Sequence, residues 1–248
     1  MNKFLSYLLV LSSSLLIHIG LLAQVSIDLE SGWVKTGYNN VKIPGDVGTF
    51  FSLSDELNST SDLFIRFRGT YAIAHKSSIS ILIAPLTTTY NGLLNRNVYF
   101  QGSVFSHNSK LDATYKFNSY RLSYLFSPIK KDDFELGFGL TLKVRDAFIR
   151  FKSNSAEATK YDLGIVPLIG FRIRWSFYKS FGILVEGDAL AAPQGRAEDI
   201  LFSVTYQPSS KWLLYTGYRF LEGGAKNSTV YTFAYFHYYS IAIKYAIL

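Results

Sequence analysis

The sequence predicts an all-β fold, a single antiparallel transmembrane β-barrel, and three observations carry that prediction. From Leu63 to the end of the chain, aromatic or aliphatic residues fall at every second position, with small or charged residues between them. In Phe171-Arg172-Ile173-Arg174-Trp175-Ser176-Phe177 the odd positions are all large and apolar and the even ones are Arg, Arg and Ser. Successive strand side chains point to opposite faces, so this segment has one greasy face and one charged face. Second, no stretch reads as an amphipathic helix and nearly every strand repeats the same pattern, so the chain offers no separate layer to cover the apolar face. Third, 17% of the residues are aromatic, with 20 Phe and 18 Tyr, a load that suits the girdles of a membrane barrel. Apolar outside and polar inside is the pattern of a barrel in lipid.

Met1 to Ala23 reads as a secretory signal. Lys3 supplies the positive start, Phe4 to Leu22 the apolar run, and Ala23 before Gln24 the cleavage point; a retained anchor is the alternative. Residues 24–248 then form one barrel domain, with no linker, low-complexity tract or longer repeat to divide them. The sequence has no Cys, which excludes lipoprotein acylation, disulfides and thiolate chemistry. Its formal charge is +7, but no basic cluster or nucleic-acid motif accompanies it, so nucleic acid is not expected as a partner.

Ten strands are predicted, with eight as the alternative count. They cover 25–37, 62–72, 78–90, 112–126, 133–150, 160–177, 181–192, 199–207, 211–221 and 231–247. Short connections fall at His75-Lys76, Pro128 to Asp132, Lys179 and Pro208 to Ser210. Longer ones fall at Tyr38 to Ser61, Asn91 to Leu111, Phe151 to Lys160, Pro193 to Glu198 and Glu222 to Val230. Outer-membrane barrels alternate short periplasmic turns with long external loops, so an even count places every short turn on one side. Loop Tyr38 to Ser61 holds Ile43, Val47, Phe50, Phe51 and Leu53; it either folds over the mouth as a lid or extends the flanking strands as a hairpin.

With the aromatics outward, Arg66, Arg68, Arg121, Lys143, Arg145, Arg172, Arg174, Arg219 and Lys244 point inward, as do Asp28, Glu30, Glu135, Asp162, Glu186 and Asp188. A slip of one residue would drive Arg66, Arg68, Arg172 and Arg174 into lipid, at roughly 2–4 kcal/mol each near the midplane. The total, of order 10 kcal/mol, rivals the stability of a whole domain. Register is therefore well determined. In strand 112–126, Lys116 and Asn118 share one phase and Arg121 and Ser123 the other, and a β-bulge between Asn118 and Ser119 would turn both sets inward. Ten strands enclose a lumen close to the size that side chains fill. Arg66, Arg68, Arg121, Glu135, Lys143, Arg145, Arg172, Arg174, Glu186, Asp188 and Arg219 are accordingly expected to form a charge network that closes it.

Three motifs invite a chemical reading. Glu186 and Asp188, two carboxylates on one inward face, fit either an acid/base pair or cation site, or counter-ions for Arg172, Arg174 and Arg219. The Gly223-Gly224 pair lacks a strand–helix context for cradling phosphate and reads as turn geometry. His237 and Ser240 would suit a hydrolytic dyad on a barrel wall, but a regular strand sends them to opposite sides and leaves His237 in the aromatic girdle. His75 and His107 have no metal-ligand partner at useful spacing. No catalytic residue, cofactor or metal site is assigned.

The runs Glu186 to Asp199, Tyr218 to Ala225 and Tyr115 to Tyr124 resemble an uncharacterised family of exported barrels within the small outer-membrane β-barrel proteins of Gram-negative bacteria. That resemblance implies the outer membrane as location, with its lipid and the barrel-insertion machinery as partners, and implies no activity and no oligomeric state. The ending Tyr245-Ala246-Ile247-Leu248 departs from the terminal aromatic common in such barrels, so recognition by the insertion machinery is expected either to be weaker or to rely on Tyr245. The favoured function is structural or that of a narrow pore for small solutes. An outer-membrane lipid-modifying hydrolase and a surface adhesin or receptor barrel are the alternatives.

Overall fold

The computed structural model describes Val25 to Ile247; the signal segment and its cleavage point lie outside the described residues. Ten strands form the wall. β1 is Val25–Lys42, β2 Asp62–Ala74, β3 the two segments Ser77–Ala84 and Thr87–Leu93, β4 Lys110–Lys130 and β5 Phe134–Lys152. β6 is Glu157–Tyr178, β7 Phe181–Ala192, β8 Gly195–Tyr206, β9 Trp212–Lys226 and β10 Tyr231–Ile247. Each strand pairs antiparallel with its sequence neighbour, and β10 returns to β1 from Val25↔Ile247 to Lys42↔Tyr231. The sheet is a closed ten-strand antiparallel barrel.

The outside is an apolar belt. Leu63, Ile65, Ile81, Leu140, Ile165 and Ile241 are each more than half exposed, and aromatic pairs such as Trp212–Tyr245 and Phe181–Tyr206 flank the belt at the end of the short turns. Trp33 and Tyr239, paired across the β1–β10 closure, mark its other edge. Water would not tolerate so much exposed apolar area on a folded surface, whereas the hydrocarbon of a bilayer requires it. The wall therefore crosses a membrane.

Both described ends and the turns at His75-Lys76, Lys131–Asp133, Lys179-Ser180 and Gln207–Lys211 lie at one end, the turn end. At the opposite, loop end the strands overshoot. A crossing strand needs about ten residues, and β4, β5 and β6 are roughly twice that length. Three connections predicted as loops, Phe151 to Lys160, Pro193 to Glu198 and Glu222 to Val230, are consequently mostly strand, closing in short turns at Ser153–Ala156, Pro193-Gln194 and Asn227–Val230. The expected bulge at Asn118/Ser119 is absent. Pairing of β4 with β5 runs without a shift from Phe126↔Phe138 to Asp112↔Lys152. Lys116 and Asn118 instead face outward, beside outward Asp146, with Lys116 Nζ 2.7 Å from Asp146. This level lies above the belt, where an outward charge meets water and needs no inward phase.

The long connection after β1 is a lid. Residues 43–61 turn back over the mouth through the single helical turn α1, Leu53–Glu56, capped by Ser52, whose side chain accepts from Asp55 N while Glu56 accepts from Ser52 N. Residues 94–109 join it. Thr49 N donates to Tyr99 O and Gln101 N to Ile43 O, and Arg96 bridges Glu56 and the Phe50 carbonyl. Together they bury Phe51, Leu53, Leu94, Val98, Phe100 and Phe105 against the inner wall, with Phe100 stacked 4.1 Å over Phe151 of β5. This apolar core lies inside the barrel, under the lid.

Placing a charge on the belt should be costly, and placing one above it should not. Leu140→Arg, at mid-belt on β5, is expected to destabilise the barrel by about 2–4 kcal/mol in urea unfolding from lipid vesicles. Leu93→Arg, equally exposed but on the overshooting part of β3, is expected to stay within about 0.5 kcal/mol of the parent chain.

Candidate functional site

The lumen is crossed at mid-height by a compact layer of charge. Alternation on β1, β2, β4, β7, β8 and β9 sends Glu30, Arg66, Arg121, Asp188, Asp199 and Arg219 to the axis, three cations against three carboxylates. Arg219 is the hub. Its Nε and Nη2 donate to the two oxygens of Glu30 at 2.9 and 2.8 Å, and its Nη1 donates to Asp199 at 2.7 Å. Arg66 donates to Asp199 at 2.9 Å and lies 3.4 Å from Glu30. Arg121 spans Asp199 and Asp188, at 2.5 and 2.7 Å. Thr141 donates to the remaining oxygen of Asp188 and Ser240 to Glu30, so the carboxylates are saturated. Arg219 and Asp199 are only 2% exposed. Space for this layer depends on missing side chains: a Cβ on inward Gly170 would stand 3.0 Å from Asp188 Oδ1.

Toward the turn end, Glu186 accepts from Arg68 at 2.7 Å and from Arg172 at 2.9 Å. Arg174 lies 3.9 Å from Glu135 and donates to the Lys131 and Asp132 carbonyls, while Ser127 donates to Glu135. Asp28 accepts from the Tyr215 hydroxyl and sits opposite Lys244 in the ladder. These groups, Arg68 apart, line a polar cavity of about 450 Å³ that opens at the turn end. Toward the loop end, Arg145 pairs with Asp162 at 2.5 Å, and Lys143 lies with its Nζ 4.5 Å from the centre of the Phe117 ring. They border a second cavity, of about 270 Å³ and mostly apolar. The charge layer lies between the two and leaves about 50 Å³, room for isolated waters.

Ten of the eleven sequence-predicted residues thus make side-chain ion pairs within the lumen, and Lys143 makes none. Partners differ from expectation in two places. Glu186 and Asp188 were expected to neutralise Arg174 and Arg219, but Arg174 turns toward Glu135 and Arg219 toward Glu30 and Asp199. The pairing follows depth along the axis, which tilted strands do not preserve between sequence neighbours. Asp199, with three guanidinium partners, was missed because its strand was begun at that residue with no face assigned. Stepping back by two from inward Leu201 and Ser203 would have found it.

His237 and Ser240 do not meet. Ser240 is buried at Glu30, while His237 faces outward with its Nδ1 2.7 Å from the Tyr218 hydroxyl, which in turn is 2.9 Å from that of Tyr235. Higher on the outer wall, beyond the belt, Glu222 accepts from Tyr38 and Arg196. Burial and the Glu222 carboxylate push the Tyr38 hydroxyl up to about 12. Burial opposes ionisation of Glu222, but Arg196 and Tyr38 outweigh it and hold the carboxyl below its ordinary range. Among the described residues no cluster of three or more His, Cys, Asp and Glu is placed to hold a metal ion.

No family model and no curated protein sequence matches the chain. Among solved structures it is similar to the outer membrane protease OmpT of Escherichia coli, at 10% identity and a TM-score of 0.59 over 90% of this chain and 97% of that one. Ail of Yersinia pestis (10% identity, TM-score 0.40, 92% and 100% covered) and OprG of Pseudomonas aeruginosa (13%, 0.34, 91% and 96%) also align but superpose less well. Likeness at these identities is one of fold. The chain has the fold of small outer-membrane β-barrels of Gram-negative bacteria.

Removing one partner from a buried charge network leaves the others charged and unpaired. Asp199→Ala strands parts of three guanidinium groups and is expected to cost about 3–5 kcal/mol, read as a lowered urea midpoint in detergent or vesicles. Glu186→Ala, which frees Arg68 and Arg172, should fall in the same range.

Proposed function

We propose that this protein is an integral outer-membrane barrel that seals rather than conducts, with its short turns in the periplasm and its lid outside. The observation that carries the reading is the charge layer around Arg219. A conducting lumen needs mobile water along its axis, and here the axis is filled by guanidinium groups, each within ion-pair distance of two carboxylates. The layer is neutral, so it offers a passing ion neither a charged well nor a hydrated path. The lid supports the same reading at the outer mouth. Outer-membrane location rests on the closed barrel, the apolar belt and the shared fold. In this reading the wall is the stable part and the two end chambers are what the protein presents to its surroundings.

Location and sealing are tested separately. The mature chain is expected to fractionate with the outer membrane and to migrate anomalously on gels unless heated. Reconstituted into planar bilayers it should give no stable conductance steps, and deleting residues 45–58 of the lid should not create them, because the charge layer remains. Steady ohmic steps from the intact protein would overturn the sealed reading while leaving the barrel in place.

A further inference from the structure

The upper barrel wall is split between β6 and β7. β6 and β7 are paired from Tyr178↔Phe181 up to Ile169↔Ala189 and no further, although β6 continues back to Glu157 and β7 on to Ala192. The flanking pairs stay zipped to their ends: β5–β6 reaches Lys152↔Glu157 and β7–β8 reaches Ala192↔Gly195. The upper wall therefore parts into two leaves, with β6 edging one and β7 the other. Pairing is also interrupted between β2 and β3, but there the lid core backs the wall and buries Phe64 and Leu86.

Behind the β6/β7 seam lies the apolar cavity. Lys160, Asp162 and Val166 line it from one lip and Leu190 and Ala192 from the other. Outside, the β6 lip presents Tyr161, Leu163 and Ile165, 73%, 76% and 68% exposed, at the upper edge of the belt. Inside, the cavity wall carries the amine of Lys143 without a counter-ion. Lys143 is 2% exposed, and among the described residues no carboxylate comes within ion-pair distance of it. Arg145 beside it is already held by Asp162, so Lys143, together with Lys160 on the β6 lip, is a basic group of the cavity wall without a carboxylate partner among the described residues. The Phe117 ring face compensates a desolvated ammonium only in part.

We propose that the seam admits a single-chain anionic amphiphile from the outer leaflet, its carboxylate pairing with Lys143 and its apolar chain lying in the cavity. This rests on the barrel standing in a membrane, and it fits a sealed lumen because the ligand comes and goes by the side. A carboxylate supplies the missing charge and a short alkyl chain matches the apolar lining. The seam sits at the depth where amphiphile head groups reside.

The test uses the full mature chain in lipid nanodiscs, titrated with carboxyl-labelled decanoate and followed by the carboxyl carbon resonance. Saturable binding to the intact protein is expected, with decanol, which lacks the charge, at least about tenfold weaker. Lys143→Met should weaken decanoate by about tenfold or more while leaving decanol unchanged, and Lys143→Arg should retain decanoate. Leu190→Trp, which keeps Lys143 and fills the cavity beside the seam, should abolish both. Absence of saturable decanoate binding, or equal binding by the parent and Lys143→Met, would overturn the proposal. Heat-dependent gel mobility of each variant reports separately on whether the barrel has folded and inserted.

Discussion

In hydrocarbon no water can satisfy an unpaired N–H or C=O, so the ladder that joins β10 to β1 is the contact on which the rest of the structure depends. Without it the sheet would present two bare edges to lipid. With it, each residue on the wall is assigned to lipid or lumen by parity alone, and a single-residue slip would exchange the two sets. The apolar belt and the inward charges are two consequences of one closure. Their energetic scale keeps them together: several Arg residues facing lipid would cost as much as the fold is worth.

Closure creates a second constraint. A ten-strand lumen is close to the size that side chains fill, and at mid-height the polar phase of each strand is what fills it. Desolvated charge is tolerable only when it is matched in number and geometry. The central layer meets both conditions, with three guanidinium groups on three carboxylates and hydroxyls from Thr141 and Ser240 on the lone pairs that remain. Such a layer is a poor source of net stability, since apolar residues of similar volume could pack as well. What it adds is specificity. Each pair can form only if β1, β2, β4, β7, β8 and β9 stand in one register, so the network penalises slipped barrels that backbone pairing alone would accept.

How much of this was legible in the sequence depends on height. Within the belt, lipid and lumen impose opposite demands on alternate residues, and strand phase, inward charges and turn positions can be read directly; ten of the eleven expected network residues are ion-paired in the lumen, Arg145 above the belt. Above the belt, both faces of the wall meet water or lid, and the rule loses its force. Lys116 and Asn118 could therefore be assigned to the wrong side, and the β-hairpin arms at Gly195 to Glu198 and Glu222 to Lys226 read as loops. Asp199 sits at that boundary and was lost with them. The lid has no period at all. Its apolar content marked it as unusual, but only the tertiary fit of Phe51, Phe100 and Phe105 around Phe151 decides that it turns inward.

The same dependence on height explains where the wall can part. Below Ile169, an unpaired backbone group on β6 would face hydrocarbon at a cost of several kcal/mol, and the ladder with β7 is complete. Near the upper edge of the belt, water reaches the wall and the cost falls. β6 can then follow β5, and β7 can follow β8, without strain between the leaves. The break at Ile169 and Ala189 opens into the upper part of the belt, where β6 still presents Ile165, and Lys143 lies behind it. An opening lower down would breach the hydrocarbon seal, and one higher up would meet only water. At this depth alone can the wall be open to amphiphiles while the barrel beneath stays shut.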